Sequence, residues 1–270
     1  MNVLRRPGCP FKVTNADGKV TYLEGRDYAE VSDPKLGNIP YAGEYDFSHK
    51  GPALDILVGG SIRERELLKV SWYHPVATLS SQVMCCVSEP KVYEILRDQA
   101  RRVNEVYKPK KVMLSHDEIR VMNWCALCQS RKLTPGQMLA DNVKRCREIA
   151  NQEMPGAEVM VWSDMFDPNH NAVDNYYLVN GSLKGSWEGL DKSMTMLNWN
   201  GGKLAESLRF FADRGHKQVI AGYYDVDDLS GFTDWDAKAK GIPGVIGFMY
   251  TTWQQKYGLL DEYGKAMGRR

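Results

Sequence analysis

No charge of one sign dominates this chain. Lys and Arg number 35 against 34 Asp and Glu, a formal net charge of +1, so no bulk field exists to hold nucleic acid or an anionic membrane. Long apolar runs are missing as well. Stretches such as Val245–Tyr250 fall far short of the ~20 residues that span a bilayer. The opening residues, Met1-Asn-Val-Leu-Arg-Arg-Pro-Gly8, hold no apolar segment of the signal-peptide kind, and the chain as it stands is expected to be cytoplasmic. Cysteines are few. Cys9, Cys85, Cys86, Cys125, Cys128 and Cys146 are too sparse for a disulfide scaffold in 270 residues. These absences exclude a membrane protein, a disordered chain and a basic nucleic-acid binder. What is present is 43% apolar and 26% charged, the balance of a globular α/β or α+β protein. At ~150 residues per domain the length predicts just under two domains.

The pair Cys125-Ala-Leu-Cys128 has the spacing of half a zinc site or of a redox pair. A structural zinc takes four ligands, and no second Cys-x-x-Cys or His pair follows. No thioredoxin-like βαβ pattern surrounds it either. Cys146, on a following helix, could approach the pair. Adjacent Cys85-Cys86 reads as a buried strand or loop pair. The simplest reading is reduced structural thiols with no metal, and a metal or redox role at Cys125 and Cys128 is the rival.

Residues 1–75 read as β-rich and irregular. Asn15-Ala-Asp-Gly18 is a turn between Phe11–Thr14 and Lys19–Leu23, which predicts a hairpin. Leu54–Val58 and Leu67–Tyr73 are further strand candidates. From residue 88 the pattern changes. Pro90–Tyr107 places Val92, Ile95, Leu96, Ala100, Val103 and Val106 on one helical face, with Ser88 and Glu89 as the start signal. Lys111–Asp117 is a short buried strand. A helix runs from Thr134, its N-cap, to about Glu153. Strands follow at Ala157–Asp164, Lys192–Trp199, Gln218–Asp225 and Val245–Trp253. Helices follow at Lys203–Arg214 with a Gly215 C-cap, at Asp234–Lys240 and at Gly258–Met267. Tyr176–Leu183 reads as a short insertion or hairpin. Strands alternating with helices predict a parallel sheet with helices outside it.

Each of these strands ends in polar or aromatic residues: Asp117-Glu118, Trp162 with Asp164, Asn198-Trp199, Tyr223 to Asp225, and Tyr250 to Trp253. A (β/α) barrel builds its active face this way. Trp and Tyr rings stack on the apolar faces of sugars, while carboxylates and Asn bind hydroxyls. Asp117 and Glu118 are the leading catalytic candidates. Neighbours in a strand point oppositely, so they share a site only where the strand bends or ends. If both reach the site, burial and like charge should raise one carboxyl's pKa, as a general acid requires. The competing reading has them cap a helix or pair with Arg120. His116, Arg120, Trp162, Asp164, Asn198, Trp199, Tyr223, Asp225, Tyr250 and Trp253 are the substrate-contact candidates. Asp164, Asp167 and His170 could be read as metal ligands, but no clear second His completes them.

Val112-Met-Leu-Ser-His-Asp-Glu118 resembles the fourth strand of the family-20 glycoside hydrolases, the β-N-acetylhexosaminidases. Their motif, His-x-Gly-Gly-Asp-Glu, ends in an Asp-Glu pair. The resemblance implies a TIM-type barrel, no cofactor, Glu118 as general acid/base and Asp117 as partner of the substrate's 2-acetamido group. That group itself acts as the nucleophile, one of the departures from the two-carboxylate scheme. Trp162, Trp199, Tyr223 or Tyr224, and Trp253 would resemble the family's aromatic sugar pocket. Here Met-Leu-Ser-His-Asp-Glu lacks the glycines, and the eighth-strand Trp-x-Glu is Trp253-Gln-Gln. The resemblance covers roughly residues 88–267. Closer still, the chain is similar to uncharacterised bacterial family-20-like barrels that carry a β-rich insertion before the fourth strand.

Residues 1–110 do not contain three βα units before the fourth strand. The expected fold is therefore α/β, a partial (β/α) TIM-type barrel of about five βα units, with an N-terminal β-rich segment at 1–87 and the barrel portion at 88–270. Open edges favour self-association, so a homo-oligomer burying them is expected. The expected partner is a carbohydrate, with no nucleic acid or membrane. The alternatives are a retaining glycosidase with Asp225 or Asp164 as nucleophile, recognisable by a carboxyl separation near ~5–5.5 Å, and a non-catalytic carbohydrate-binding protein.

Overall fold

The computed structural model describes residues 3–5, 8–33, 50–74, 84–223 and 225–268. Tyr224, one of the expected pocket rings, lies outside them. The chain divides into two units, Met1–Met84 and Cys85–Arg270, where the sequence places a division after residue 87.

In the first unit β1 (Lys12–Asn15) pairs antiparallel with β2 (Thr21–Tyr22) and with β3 (Leu68–Ser71), in the order β2-β1-β3. Asn15 closes the hairpin. Its carbonyl accepts from Gly18 N–H at 3.0 Å and its Oδ1 accepts from Val20 N–H at 3.0 Å, so backbone and side chain together tie the two ends of the turn. Val13, Tyr22, Tyr28 and Val31 are buried together. The stretch Leu54–Val58 is not a strand. It makes one isolated bridge, Tyr28 to Ile56, with flanking bonds to Asp27 and Ala29, and most of its side chains are exposed.

The second unit runs α1 (Pro90–Tyr107), β4 (Lys111–Met113), β5 (Val121–Met122), α2 (Ala126–Ser130), α3 (Pro135–Glu153), β6 (Glu158–Trp162), β7 (Leu178–Val179), β8 (Thr195–Asn198), α4 (Leu204–Ala212), β9 (Gln218–Ala221), α5 (Ser230–Ala239), β10 (Val245–Met249) and α6 (Leu260–Met267). The helix signals act as their chemistry requires. Thr134 and Gln137 form a reciprocal capping box at the start of α3, which satisfies two backbone donors. Glu89 accepts from Lys91 N–H at the start of α1, with Pro90 in the first turn, where its missing N–H has no helical partner to lose. Gly215 follows α4 at φ +80°, and its N–H reaches the Ala212 carbonyl at 2.9 Å, the left-handed stop that glycine adopts most readily.

Five strands form one parallel sheet in the order β10-β9-β8-β6-β4. Spatial order follows chain order without reversal, the order of consecutive βα units laid side by side. Among the described residues the sheet is open, with β4 and β10 outermost. The β6-to-β8 connection differs from the expected βα unit. Short 3-10 turns at Asp164–Phe166 and Ser186–Gly189 take the helix's place, and β7 pairs parallel with β5 in a small second sheet. Residues 176–183, read as an insertion or hairpin, supply that strand.

Central β8 is buried at all four positions, as a strand covered on both faces must be. One core cluster joins Met138, Leu139 and Val143 of α3 to Val159 and Val161 of β6. A second joins α4, α5, β9 and β10 around Leu208, Phe232 and Tyr263. Helix α3 meets the Ser186–Gly189 turn so closely that a Cβ on Gly189 would lie 2.3 Å from the Ala140 carbonyl oxygen, and one on Gly136 2.2 Å from that of Lys184. Only glycine permits that backbone approach. Helix α1 spans Pro90–Tyr107 as expected and sets Ala100 against the first core cluster, but its apolar face is only partly covered. None of its residues is fully buried, and Ile95, Val103 and Val106 are exposed.

Candidate functional site

The C-terminal ends of the parallel strands converge on a cavity of about 180 Å³ lined by Asp117, Glu118, Trp162, Trp199, Thr251 and Trp253. That is the face where sheets of this kind hold ligands. The adjacent carboxylates share the cavity because the strand stops early. The regular part of β4 ends at Met113, its backbone hydrogen bonds to β6 stop at Ser115, and Ser115, His116 and Glu118 take φ of +57°, +67° and +45°. These left-handed conformations are costly for residues with a Cβ, and they re-aim successive side chains that an extended strand would send to opposite faces.

Two groups hold Glu118. Its backbone N–H donates to Asp164 Oδ2 at 3.0 Å, and its Oε2 accepts from Arg120 Nη2 at 2.6 Å. The Arg120 side chain is buried beside a partly exposed Glu118, and its guanidinium lies 5.4 Å from the Tyr177 ring centre. Asp164 is fully buried. It also accepts from Asn171 Nδ2 at 2.9 Å and from the Trp199 indole N–H at 3.3 Å. Burial pushes its carboxyl up to about 6, with the Asp117 charge adding and these donors opposing. Asp164 therefore ties the acidic turn to one wall of the cavity.

Several expected contacts lie elsewhere. His116 does not line the cavity. Its Nδ1 lies 2.8 Å from the Leu114 carbonyl and its Nε2 2.9 Å from Asn142 Oδ1 on α3, and burial lowers its pKa. Tyr223 and Tyr250 stack on each other at 4.0 Å and spend their hydroxyls on the Val226 and Lys256 carbonyls, so they build the second core cluster. Asp225 is a loop anchor. It accepts from the Thr252 hydroxyl and from the backbone N–H groups of Trp253 at 2.6 Å and Gln254 at 2.9 Å. Burial alone would raise its carboxyl, but these donors outweigh it and the pKa is lowered. Asn198 is buried, its Oδ1 accepting from Asn200 N–H and its Nδ2 without a protein partner among the described residues.

Other residues at the site carry weak sequence signals. Thr251 follows β10. His170 sets its ring edge against Trp199, 4.3 Å between centres, and burial lowers its pKa. The phenol of Tyr176 is held well above its usual range by burial and by the carboxylates of Asp164 and Glu118. A polar loop and a Tyr-Tyr pair in an apparent insertion were the only hints of the last two.

Among the described residues, Asp164, Asp167 and His170 do not assemble as metal ligands. The group that could hold a metal is Cys86, Cys125 and Cys128, away from the cavity lining. Cys85 is exposed rather than buried, and Cys146 is not part of the thiol group. No helix among the described residues is long and apolar enough to cross a membrane. No protein-family model matches this chain, and no curated protein matches it.

Proposed function

We propose that the second unit is a portion of a (β/α) barrel that associates with further copies at its open edges and hydrolyses a β-linked sugar of N-acetylhexosaminide type. The observation that carries the reading is the pairing of Asp117 with Glu118 in a cavity walled by Trp162, Trp199 and Trp253. Indole faces suit the C–H faces of a pyranose, and two carboxylates suit proton transfer and amide orientation. A backbone detail adds support. Ser115 and His116 stand where the resembled motif has its two glycines, and both hold the positive φ that glycine favours.

In this mechanism Glu118 protonates the glycosidic oxygen as the bond to the leaving group breaks. Arg120 occupies Oε2 and leaves Oε1 for that proton. Asp117 holds the acetamido N–H while the acetamido oxygen attacks the anomeric carbon. Glu118 then takes a proton from the water that opens the cyclic intermediate, as microscopic reversibility requires. Asp164 and Asp225, the alternative nucleophiles, do not line the cavity, and hydrogen-bond donors engage both oxygens of each. Positioning roles fit them better. The non-catalytic rival rests on Trp253-Gln254-Gln255, where the family's Trp-x-Glu would supply a carboxylate, and on the missing βα units.

A panel of aryl glycosides, with the N-acetylglucosaminide and galactoside compared directly, tests the substrate class. Glu118→Gln is expected to lower turnover by about 10²–10⁴-fold while calorimetric sugar binding is retained. Turnover that survives the substitution sinks the catalytic assignment. Binding without turnover in the unaltered chain supports the rival.

A further inference from the structure

Three thiols from two distant parts of the second unit meet at one point. Cys86 Sγ lies 3.5 Å from Cys125 Sγ and 3.5 Å from Cys128 Sγ, and all three sulfurs fall within 4.8 Å of one another. Cys86 precedes α1, while Cys125 and Cys128 flank the first turn of α2, 39 residues further on in the case of Cys125.

Apolar packing does not account for this arrangement, since Cys125 is exposed. A disulfide does not account for it either. Its sulfurs would sit at about 2.05 Å and use only two of the three. Sulfurs bound tetrahedrally to zinc at about 2.3 Å stand about 3.8 Å apart, close to the spacing found. Polar groups that can face a thiolate surround Cys125 and Cys128, while burial pushes the Cys86 thiol up to about 12 in the absence of a metal. Cys128 N–H donates to Cys125 Sγ at 3.4 Å. Ser88 Oγ lies 3.3 Å from Cys128 Sγ and accepts from Arg131 Nη1 at 3.2 Å, so its hydroxyl proton can turn toward a Cys128 thiolate, with Arg131 itself held by Asp141.

We propose that Cys86, Cys125 and Cys128 bind a zinc ion, with water completing the tetrahedron on the exposed Cys125 side. Binding displaces three thiol protons and makes three Zn–S bonds, so the site goes from neutral to one net negative charge, with no change of oxidation state. The metal closes a loop that contains α1, β4 and the Asp117-Glu118 turn, and so ties together the two ends of the segment carrying the acidic pair. This inference does not rest on the glycosidase reading, because no cysteine lines the cavity.

The test is metal analysis of the full chain, purified under reducing conditions and desalted over chelating resin. About one zinc per chain is expected by elemental analysis, released on addition of a thiol-specific mercurial. Cys86→Ser and, at the exposed position, Cys125→Ser should each cut retained zinc about tenfold or more, in proteins whose circular dichroism shows them folded. Cys146→Ser, outside the cluster, should retain it. Cobalt titrated into metal-free protein should give a thiolate charge-transfer band that is lost in Cys86→Ser. Three results overturn the proposal: no zinc retained or taken up by the unaltered chain, full retention in Cys86→Ser, or an intact mass lower by two hydrogens that marks a disulfide.

Discussion

Asp164 Oδ2 accepts the backbone N–H of Glu118 at 3.0 Å, and Oδ1 of the same carboxyl receives the Trp199 indole. One buried group thus sets both the acidic turn and an aromatic wall. Its folded pKa is raised from 3.8 to about 6. Because the folded value is the higher one, the carboxyl's contribution is fully present below about pH 4 and is lost as pH rises toward 6. Relative to Asp164→Asn, the unaltered protein should therefore lose roughly 3 kcal/mol between those limits, at ~1.4 kcal/mol per pKa unit. Denaturant unfolding of both proteins at pH 4, 5, 6 and 7 measures this. A difference that stays flat with pH contradicts the assignment.

Ser115 sits at φ +57° and is exposed, so its Cβ costs conformational energy and its side chain is not packed away. Ser115→Gly should stabilise the protein by about 0.5–1 kcal/mol, the left-handed penalty of ~1–2 kcal/mol being partly offset by the extra freedom of glycine in the unfolded chain. A higher denaturation midpoint with unchanged slope is the expected result. A lower midpoint would mean that the turn is held by the serine side chain rather than tolerated in spite of it.

Short-range signals were legible in the sequence. The Thr134–Gln137 box, the Gly215 stop and the apolar strands at 111, 158, 195, 218 and 245 act through neighbouring residues, and each appears where its local chemistry places it. The strand-end Asp117-Glu118 pair with Trp162, Trp199 and Trp253 was legible for the same reason, since parallel strands deliver their ends to one face. Long-range pairings were not. Nothing near Cys86 announces Cys125 and Cys128. The Asp225 carboxyl meets its donors at Thr252–Gln254, across two strands of the sheet. Tyr223 and Tyr250 read as pocket rings by position, yet their mutual stacking turns them into core. Strands of two residues, β5 and β7, carry no period at all.

Among the described residues β4 pairs only with β6 and β10 only with β9, so both are edge strands, the kind of edge that recruits another strand. Helix α1 adds exposed Ile95, Val103 and Val106. Association of copies at these surfaces should appear in multi-angle light scattering as a mass of two or more chains, with Val103→Lys and Val106→Lys shifting the distribution toward one. A monodisperse single-chain mass across a wide concentration range counts against it.

Trp253 is the exposed wall of the cavity, with 73% of its surface accessible, and its loop is held by the Asp225 carboxylate. Little packing is lost when it is removed, so Trp253→Ala should leave the melting temperature nearly unchanged. Sugar affinity should fall by about tenfold, the ~1.4 kcal/mol within the range of a ring-stacking contact. Asp225→Ala should also weaken sugar binding, by releasing the Trp253 and Gln254 N–H groups from their acceptor, and it should lower stability too, because the loop's hydroxyl and backbone donors lose their partner together. The Asp225 pKa is lowered, so its stabilising share is present above the unfolded value near 3.8 and disappears as pH falls through the folded one. Calorimetric titration with an N-acetylhexosaminide, alongside thermal melts of both variants, separates the roles. Loss of affinity in Asp225→Ala with none in Trp253→Ala would show that the loop backbone, and not the indole, faces the sugar.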